Sequence, residues 1–488
     1  MNRLTAAAAV IIVISILAGC TIGPKYQRPV APAPSAWSSE GPWRAAAPKD
    51  ALPKGAWWEV FHDDQLNQYE QQLLAANQSL TAAQDRLARA RSLARVASAG
   101  LFPTMSTDPS VSGARYSGNR PGSSGPTTPL TQANYQIPFA LNYEVDLFGR
   151  NRKTLEAANA NLQSTAADLH NVQLVLTAEL AADYFSLREL DAETQVVQES
   201  IDIEQKGLDL VNNRHEGGLA SGLDLAQQQT LLNATTTQLY LVRQQRATFE
   251  HAIAVLTGSP ASNFHVPIIP LDATPPPVPL GVPSDMIERR PDVASAERTM
   301  AEQNALVGVA QTAFYPQFTI GGGGGFQSIS IGSLITAPSA FWAVGGDLLQ
   351  PIFNGGRNRA TLAATKSSYE ESVANYRQSV LVAFQQVEDG LSSLDGLSQA
   401  AASQSAAVNS ARRSLDLSNN RYVGGVSSYL DVVTAQVALL NNQRLATQLL
   451  GQRMVTSVYL VKALGGGWDA SSIQNDVVHP KAIQTLQP

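Results

Sequence analysis

Two long segments of the chain repeat an apolar residue at every seventh position. In the first segment these residues are Leu155, Leu162, Leu169 and Leu176, and in the second they are Val373, Val380, Val387 and Leu394. This spacing is typical of coiled-coil helices. Residues 150–213 and 357–420 contain no proline. Each predicted helix can therefore run without a break for about 95 Å at 1.5 Å per residue, which no ordinary globular domain needs.

A second pattern, alternation of apolar and polar residues, lies just before the first long helix. Its apolar positions are Ile137, Phe139, Leu141, Tyr143, Val145 and Leu147. Such a run suits a tilted membrane-spanning strand of about 9–11 residues, so we expect these six side chains to face lipid. Weaker patterns predict further strands, and the four predicted strands cover about residues 103–117, 135–148, 317–329 and 340–353.

An internal repeat organises the chain. A shift of 207 residues aligns Arg150-Asn151-Arg152 with Arg357-Asn358-Arg359, and Gly217-Gly218 with Gly424-Gly425. A shift of 213 residues aligns Phe102-Pro103 with Tyr315-Pro316. The predicted organisation is a first unit at 61–258 with a helical hairpin tip at about 214–222, a proline-rich linker at 259–283, a second unit at 284–465 with a tip at about 421–429, and a tail at 466–488.

Four strands cannot close a barrel by themselves. An open sheet edge in lipid would leave N–H and C=O groups unpaired, at several kcal/mol each. Three chains would supply twelve strands, an even number within the range of membrane barrels. The predicted fold class is therefore mainly α with membrane β, in which tandem-duplicated long coiled-coil helices and four transmembrane strands assemble as a homotrimer with a twelve-stranded β-barrel.

The N-terminus predicts export. Arg3 precedes an apolar run that ends in Leu17-Ala18-Gly19-Cys20, and small residues before a cleavage site are typical of a signal peptide. This ending resembles a bacterial lipobox, which implies removal of residues 1–19, acylation of Cys20 and a lipid-anchored tether over residues 20–60. The alternative is an ordinary signal peptide with a chance cysteine.

Composition excludes several other functions. The chain has a net charge of -6 and one cysteine, so it offers no basic surface for nucleic acid and no intrachain disulfide. Its six histidines have no metal-ligand spacing, and no nucleophile or acid/base pair stands out. We expect no enzymatic activity and no cofactor other than the covalent lipid on Cys20.

Several short motifs, taken in order, resemble one known family. They are Cys20 with Gly23-Pro24 and Tyr26, Trp57-Trp58 with Phe61, Asp63 and Leu66, Asp146-Leu147-Phe148-Gly149-Arg150, Arg289-Arg290-Pro291-Asp292-Val293, and Ala313-Phe314-Tyr315-Pro316. From Cys20 to about Gly466 the chain resembles the outer membrane efflux channels, in the lipoprotein branch typified by OprM and NodT within the TolC-like group.

The resemblance implies a homotrimer in the outer membrane of a Gram-negative bacterium, with an α-helical tunnel through the periplasm. It implies passive export of drugs or other small molecules, delivered by a periplasmic adaptor protein and an inner-membrane pump of the RND type. Residues 259–283 and 466–488 would form an equatorial belt around the tunnel.

The hairpin tips are the candidate site. By resemblance the adaptor docks on Arg214, Gly217, Gly218, Ser221, Arg421, Gly424, Gly425 and Ser428. Candidates for the periplasmic gate are Asp209, Asp224, Asp416, Tyr422 and Asp431, with Arg214 and Arg421 as partners of the aspartates. The family often has a charged residue where this chain has Val423 and Thr434. The sequence therefore does not identify which residue pairs would hold the gate shut.

Three alternatives remain at this point. A type I secretion channel would share the architecture and export protein. A structural periplasmic coiled-coil lipoprotein, or an adaptor, would have one hairpin rather than two. A lipid-anchored hydrolase would need a catalytic site that the sequence does not display.

Overall fold

The computed structural model describes residues 21–29, 55–119, 130–276, 289–468 and 473. Within these residues there are seven α-helices and a five-stranded antiparallel sheet. The helices are α1 (Asp64–Ala76), α2 (Gln78–Ala99), α3 (Arg150–Glu216), α4 (Gly222–Leu256), α5 (Pro291–Thr312), α6 (Arg357–Val423) and α7 (Tyr429–Ala463). The strands are β1 (Thr104–Thr107), β2 (Ser110–Tyr116), β3 (Leu130–Val145), β4 (Gln317–Ser328) and β5 (Ala340–Leu349).

The helices reproduce the internal repeat residue by residue. Helices α3 and α6 both have 67 residues, and α4 and α7 both have 35; the members of each pair are 207 positions apart at both ends. Helices α2 and α5 both have 22 residues and lie 213 positions apart. The chain thus builds the same helical unit twice.

The sheet differs from its prediction in the first strand. Residues 103–117 form two strands rather than one, β1 and β2, and both pair with β3. The interruption is at Asp108-Pro109, because proline has no N–H to donate to a strand ladder. The sheet therefore has five strands in the described residues, not four, in the order β1 or β2, β3, β4, β5.

The chain divides into two compact units. Within the described residues, the first contains 21–29, 88–119, 130–164 and 296–376, and the second contains 55–87, 165–276, 289–295, 377–468 and 473. The first unit holds the sheet. The second has an apolar core whose largest fully buried side chains include Trp57, Leu66, Leu73, Leu180, Tyr184, Phe185, Leu187 and Ile253.

Part of the predicted linker is fixed within the second unit. The Ile269 N–H donates to the Asp191 carboxylate (3.1 Å), and the Arg246 guanidinium donates to both Asp191 (2.6 Å) and the Val266 carbonyl (2.7 Å). Burial raises the pKa of Asp191, and the hydrogen bond from Arg246 opposes that rise. Residues 264–271 are therefore held against α3 and α4 by buried polar groups, which explains how a segment without regular structure keeps one position.

Residues 21–29, which we call the strap, pack within the first unit. The Ile22 N–H donates to the Phe148 carbonyl (3.1 Å), and the Asn304 amide donates to the Pro24 carbonyl (3.3 Å). The Tyr26 hydroxyl donates to the Glu297 carboxylate. The predicted tether over 20–60 is consequently anchored over its first residues, while residues 30–54 lie outside the described residues.

Within the described part of the chain, none of the helices combines the length and the apolar content needed to cross a membrane.

Candidate functional site: hairpin tips and strand faces

Both hairpin tips turn in the same way. Helix α3 ends in a Schellman motif in which Gly218 has φ 74°, and its N–H donates to the His215 carbonyl (2.9 Å). The Leu219 N–H donates to the Arg214 carbonyl (2.7 Å). This pattern satisfies carbonyls at the helix end that otherwise lack partners, and its left-handed residue is normally glycine.

The second tip repeats that geometry at the equivalent positions. Gly425 has φ 73°, its N–H donates to the Tyr422 carbonyl (3.0 Å), and the Val426 N–H donates to Arg421 (2.9 Å). Gly217 and Gly424 precede the left-handed residues. Both have negative φ, so the backbone itself does not require glycine at these two positions.

The helices that follow the two tips, the return helices α4 and α7, have different N-terminal caps. Ser221 caps α4 through a capping box: the Asp224 N–H donates to the Ser221 hydroxyl (3.2 Å), and the Ser221 N–H donates to the Asp224 carboxylate (3.0 Å). Ser428 occupies the same position before α7, but its side chain makes no capping hydrogen bond. A serine at this position therefore stabilises only the first tip through its side chain.

The two hairpins meet in an aromatic cluster. The Arg214 guanidinium lies over the Tyr422 ring, 4.9 Å from its centroid, and the rings of Tyr422 and Tyr429 pack edge to face at 4.8 Å. Cation–π contacts of this kind contribute about 0.5–1 kcal/mol when exposed and more when desolvated. Val211 and Leu415 complete the buried side of the cluster.

A series of buried hydrogen bonds begins at Tyr429 of that cluster. The Tyr429 hydroxyl donates to the Gln228 side chain (2.9 Å), whose amide donates to the Glu204 carbonyl (2.7 Å). The Thr235 hydroxyl donates to the Glu204 carboxyl (3.1 Å). Gly207 makes room, since a Cβ there would lie 2.8 Å from the Tyr429 hydroxyl. We call Glu204, Gly207, Gln228, Thr235 and Tyr429 the latch.

Glu204 is the titratable group of the latch. Its side chain is 1% exposed, and one carboxyl oxygen has no hydrogen-bond partner among the described residues. Burial raises the pKa of Glu204 to about 7, and the hydrogen bond from Thr235 opposes that rise. Near pH 7 this carboxyl therefore changes between its neutral and charged forms.

The predicted gate aspartates do not join the cluster. Asp209, Asp416 and Asp431 are exposed, and Asp209 accepts a hydrogen bond from Gln205 one turn earlier (3.0 Å). Asp224 serves the capping box. Within the described chain, Arg214 contacts the Tyr422 ring rather than any of these aspartates, so gate pairs between arginine and aspartate remain a prediction about an assembly.

Sequence reasoning missed two sets of tip residues. The latch gives no sequence signal, because its members are ordinary helix residues from both hairpins. The second set consists of exposed apolar side chains on the tips: Leu219 (73% exposed), Leu223 (66%), Val426 (70%) and Leu430 (51%). The repeat held a signal for this set, since the 207-residue shift places Leu219 on Val426 and Leu223 on Leu430.

The sheet has one apolar face and one mixed face that carries its polar side chains. Residues directly opposite each other in antiparallel strands share a face, and the register places Leu141 opposite Met105 and Gly322, which in turn is opposite Val344. The other rows of this face are Ile137–Phe326–Ala340, Phe139–Gly324–Trp342, Tyr143–Ile320–Gly346 and Val145–Phe318–Leu348. The opposite face has the polar rows Gln136–Gln327, Asn142–Gly321–Gly345 and Glu144–Thr319–Asp347, and between them the rows Pro138–Gly325–Phe341 and Ala140–Gly323–Ala343, which have no polar side chain.

Five of the six predicted lipid-facing residues lie on that apolar face, and Leu147 does not. Strand β3 ends at Val145, and the chain then turns into α3 through Gly149, which has φ 84°. The Asp146 carboxylate accepts a hydrogen bond from the Arg152 N–H (2.9 Å) in the first turn of that helix. Leu147 therefore belongs to the turn rather than to the strand.

Cys20, the predicted lipidation site, lies outside the described residues. The next residue, Thr21, contacts Gly149 at the junction of β3 and α3, where a Cβ on the glycine would lie 2.9 Å from the threonine methyl group. The chain just after Cys20 is thus located at one end of the sheet.

With this geometry established, comparison with known proteins assigns the family. The family model for "Outer membrane efflux protein" matches residues 70–259 and 282–466. These two ranges contain α2 to α4 and α5 to α7, the two copies of the repeat.

Individual relatives agree. The pyoverdine export outer membrane protein OpmQ of Pseudomonas aeruginosa is 31% identical over 465 residues, covering 94% of this chain and 97% of that protein. The toluene efflux pump outer membrane protein TtgI of Pseudomonas putida is 31% identical, covering 93% of this chain and 97% of that protein. The solved outer-membrane channel OprN superposes with a TM-score of 0.86 at 26% identity, covering 92% of this chain and all of that one. The chain therefore belongs to the outer membrane efflux protein family, and is a Gram-negative outer-membrane channel protein.

Proposed function

We propose that three copies of this chain form one channel, anchored by lipid on Cys20, that carries small molecules from a periplasmic adaptor and an inner-membrane RND pump across the outer membrane. The observation that carries this proposal is a sheet with one apolar face, polar side chains on the other face, and two open edges. Apolar residues such as Trp342 (82% exposed) and Val344 (76%) would face lipid. The opposite face, with Asn142, Glu144 and Asp347, would line the pore.

The edges of the sheet support the trimer. In the described chain β5 pairs only with β4, while β1 and β2 pair only with β3. In lipid such edges require partners, because nothing else in the bilayer can satisfy their N–H and C=O groups. A ring in which β5 of one copy pairs with β1 and β2 of the next satisfies every edge.

The tips support docking of an adaptor. Leu219, Leu223, Val426 and Leu430 expose apolar surface at the tips of the hairpins, and contiguous apolar surface of this kind marks a protein contact. The rigid Schellman turns at Gly218 and Gly425 present these side chains in fixed positions. Arg214, Gly217, Ser221, Arg421, Gly424 and Ser428 would border the docked adaptor.

Opening of the channel would separate the hairpins at their tips. Arg214, Tyr422, Gln436 and Ser427 each carry a buried polar atom without a hydrogen-bond partner in the described chain. An unpaired buried polar atom costs about 1–3 kcal/mol, and separation of the hairpins would recover that cost by exposing these atoms to water. Asp209, Asp416 and Asp431 would approach their symmetry copies in the closed trimer.

The cargo we propose is a small molecule rather than a protein. The relatives are named for the export of pyoverdine, solvents and antibiotics. Transport through this subunit would be passive, with no catalytic step and no cofactor beyond the lipid, because the pump supplies the energy.

The direct test combines mass and conductance. We expect protein extracted from outer membranes to have the native mass of a lipidated trimer and to conduct ions in planar bilayers. Cys20→Ser should remove the lipid mass, and the remaining trimer should still conduct. A monomeric, non-conducting protein would overturn the proposal.

A further inference from the structure

The second unit contains a cavity of about 850 Å³ among its four long helices. It is lined by α3 over residues 186–193, by α6 over 393–397, by α7 over 448–459 and by Gln245 of α4. This volume is within the range of small-molecule pockets, roughly 300–1,000 Å³. These positions differ from those of the latch, the turns and the sheet, so the cavity is a separate feature of the chain.

Two glycines leave space in this cavity. Gly451 of α7 is buried, and a Cβ at this position would collide with the Glu189 side chain. At Gly396 of α6, apart from its chain neighbours and its own helix backbone, no described atom lies within 4 Å of the place where a Cβ would be. Glycine is a poor helix former, and both residues lie inside long helices. The two positions therefore keep space open although glycine weakens the helices.

The two carboxyl groups in the lining have different partners. Glu193 is 3% exposed, and its carboxylate accepts hydrogen bonds from the Arg444 guanidinium (2.8 Å) and the Gln448 amide (3.2 Å). In Glu189, the carboxyl oxygen Oε1 is buried and has no hydrogen-bond partner among the described residues. Arg444 thus neutralises Glu193, and Glu189 is the carboxyl whose charge would need a further cation.

The surroundings of Glu189 favour its neutral form. Burial raises the pKa of Glu189 to about 8, the negative charge of Glu193 adds to this rise, and Arg444 opposes it. The third titratable group in the lining is Tyr459 of α7. The lining residues of α4 and α6, which do not titrate, are Gln245, Ser393, Gly396 and Leu397. A positive charge placed beside Glu189 would favour the carboxylate instead, and the proton would leave.

The lining decides which class of ligand fits. An anion would be repelled by the charge of Glu193. For a metal ion the cavity is too large, and the described residues contain no group of three or more histidine, cysteine or acidic side chains that could hold one. A small organic cation fits, because the carboxyls attract its charge and Leu190, Leu397 and Val455 supply apolar surface for its carbon skeleton.

We propose that this cavity binds an organic amine in its ammonium form, with the ammonium group paired to the Glu189 carboxylate and the hydrocarbon part against Leu190, Leu397 and Val455. As the ammonium enters, the proton of Glu189 leaves to the solvent, so one positive charge replaces another. All lining residues belong to one chain. The site therefore goes beyond the proposed function and requires neither the trimer nor the pump.

Dansylcadaverine, a fluorescent primary amine, is a suitable probe. The full chain is placed in lipid nanodiscs, and nanodiscs without protein give the background from lipid. We expect saturable binding at pH 7, and weaker binding of the N-acetyl derivative, which keeps the ring system and has no ammonium charge. Titration calorimetry in two buffers of different ionisation enthalpy should show release of about one proton per bound probe.

Two substitutions locate the binding in the cavity. Glu189→Gln keeps the size of the side chain and removes its charge, so the affinity for the probe should fall about tenfold or more and the proton release should disappear. Gly396→Leu fills the open space and should also lower the affinity. Leucine is a better helix former than glycine, so this variant should stay folded.

Glu199→Gln is the matched control. Glu199 is exposed on α3, the helix of Glu189, and lies outside the lining, so this variant should bind the probe like the unchanged chain. The site is wrong if the unchanged chain shows no saturable binding, if the acetylated probe binds equally well, or if either Glu189→Gln or Gly396→Leu keeps full affinity. A chain that binds the amine as expected but conducts no ions contradicts the proposed function and leaves the cavity site in place.

Discussion

The two hairpin tips come from one repeated unit, yet they contribute unequal parts to the contact between them. Their turns are the same, with Gly218 and Gly425 207 positions apart and close to one φ value. The residues that form the contact between the hairpins differ in the two copies. Tyr429 of the second hairpin occupies the position equivalent to Gly222 of the first, and Gln228 of the first is equivalent to Ala435. Duplication thus kept the turns, while the residues that join the hairpins diverged.

This difference separates two roles. A turn has to satisfy its own backbone and depends on local sequence alone, so both copies need the same glycine. A contact between unlike hairpins needs a large group on one side and space on the other. Tyr429 and Gly207 form such a pair, and the latch gives the hairpins a junction that neither copy provides alone.

Removal of Tyr429 should have the largest effect. Tyr429 is 2% exposed, and truncation of a fully buried aromatic residue costs about 3–5 kcal/mol. We expect Tyr429→Ala to speed hydrogen–deuterium exchange in both tips and to leave exchange in the sheet unchanged. Tyr429→Phe keeps the ring and loses only the hydrogen bond to Gln228, at about 1 kcal/mol. Equal effects of the two variants would contradict a role for the ring in the contact.

The protonation state of Glu204 should have the next largest effect on the stability of the tips. Its pKa is about 7 in the folded chain, above the ordinary 4.5, because burial penalises the charged form. Stability from this group is therefore complete below about pH 4.5 and is lost as pH rises through 7, by about 3 kcal/mol in the limit of the whole shift. Protection of the tip amides, which compares their exchange rate with that of an unfolded chain at the same pH, should therefore fall between pH 5 and 8.

Glu204→Gln isolates that effect. Glutamine stays neutral, so the loss of tip protection between pH 5 and 8 should largely disappear. Glu189, whose pKa burial raises to about 8, supplies the matched control: Glu189→Gln should leave the pH dependence at the tips in place. A pH dependence of tip protection that persists unchanged in Glu204→Gln would exclude this carboxyl as its source.

Gly218→Ala tests the part that the tips share. Gly218 has φ 74°, and an alanine in this left-handed conformation should lower the stability of the turn by about 1–2 kcal/mol. Gly425→Ala should cost the same, because its geometry is the same. Gly217→Ala is the matched control with negative φ, and its Cβ would lie 3.4 Å from the Asn213 carbonyl, so a smaller loss is expected. The free energy of local opening from hydrogen exchange measures all three.

The sequence alone predicted the features that depend on local residues or on a periodic pattern. Heptads and the absence of proline predicted α3 and α6, and Gly-Gly pairs marked the turns. Alternation predicted the apolar face of β3 as far as Val145. Pro109 was visible in the sequence, but its effect on the ladder depends on pairing with β3, which a strand pattern does not contain. The latch joins residues 201 positions apart, so no window along the chain reveals it.

The serines before the return helices give the smallest and sharpest contrast. Both occupy an N-cap position, and the sequence predicts the same capping role for each. Ser221 accepts the Asp224 N–H, while the Ser428 side chain makes no capping bond. Ser221→Ala should therefore destabilise the first turn of α4 by about 1 kcal/mol, and Ser428→Ala should change α7 by much less. Exchange rates of the amides in the first turn of each helix measure both. A loss of equal size at the two positions would mean that the tips are more alike than their contacts indicate, and that divergence is confined to the latch.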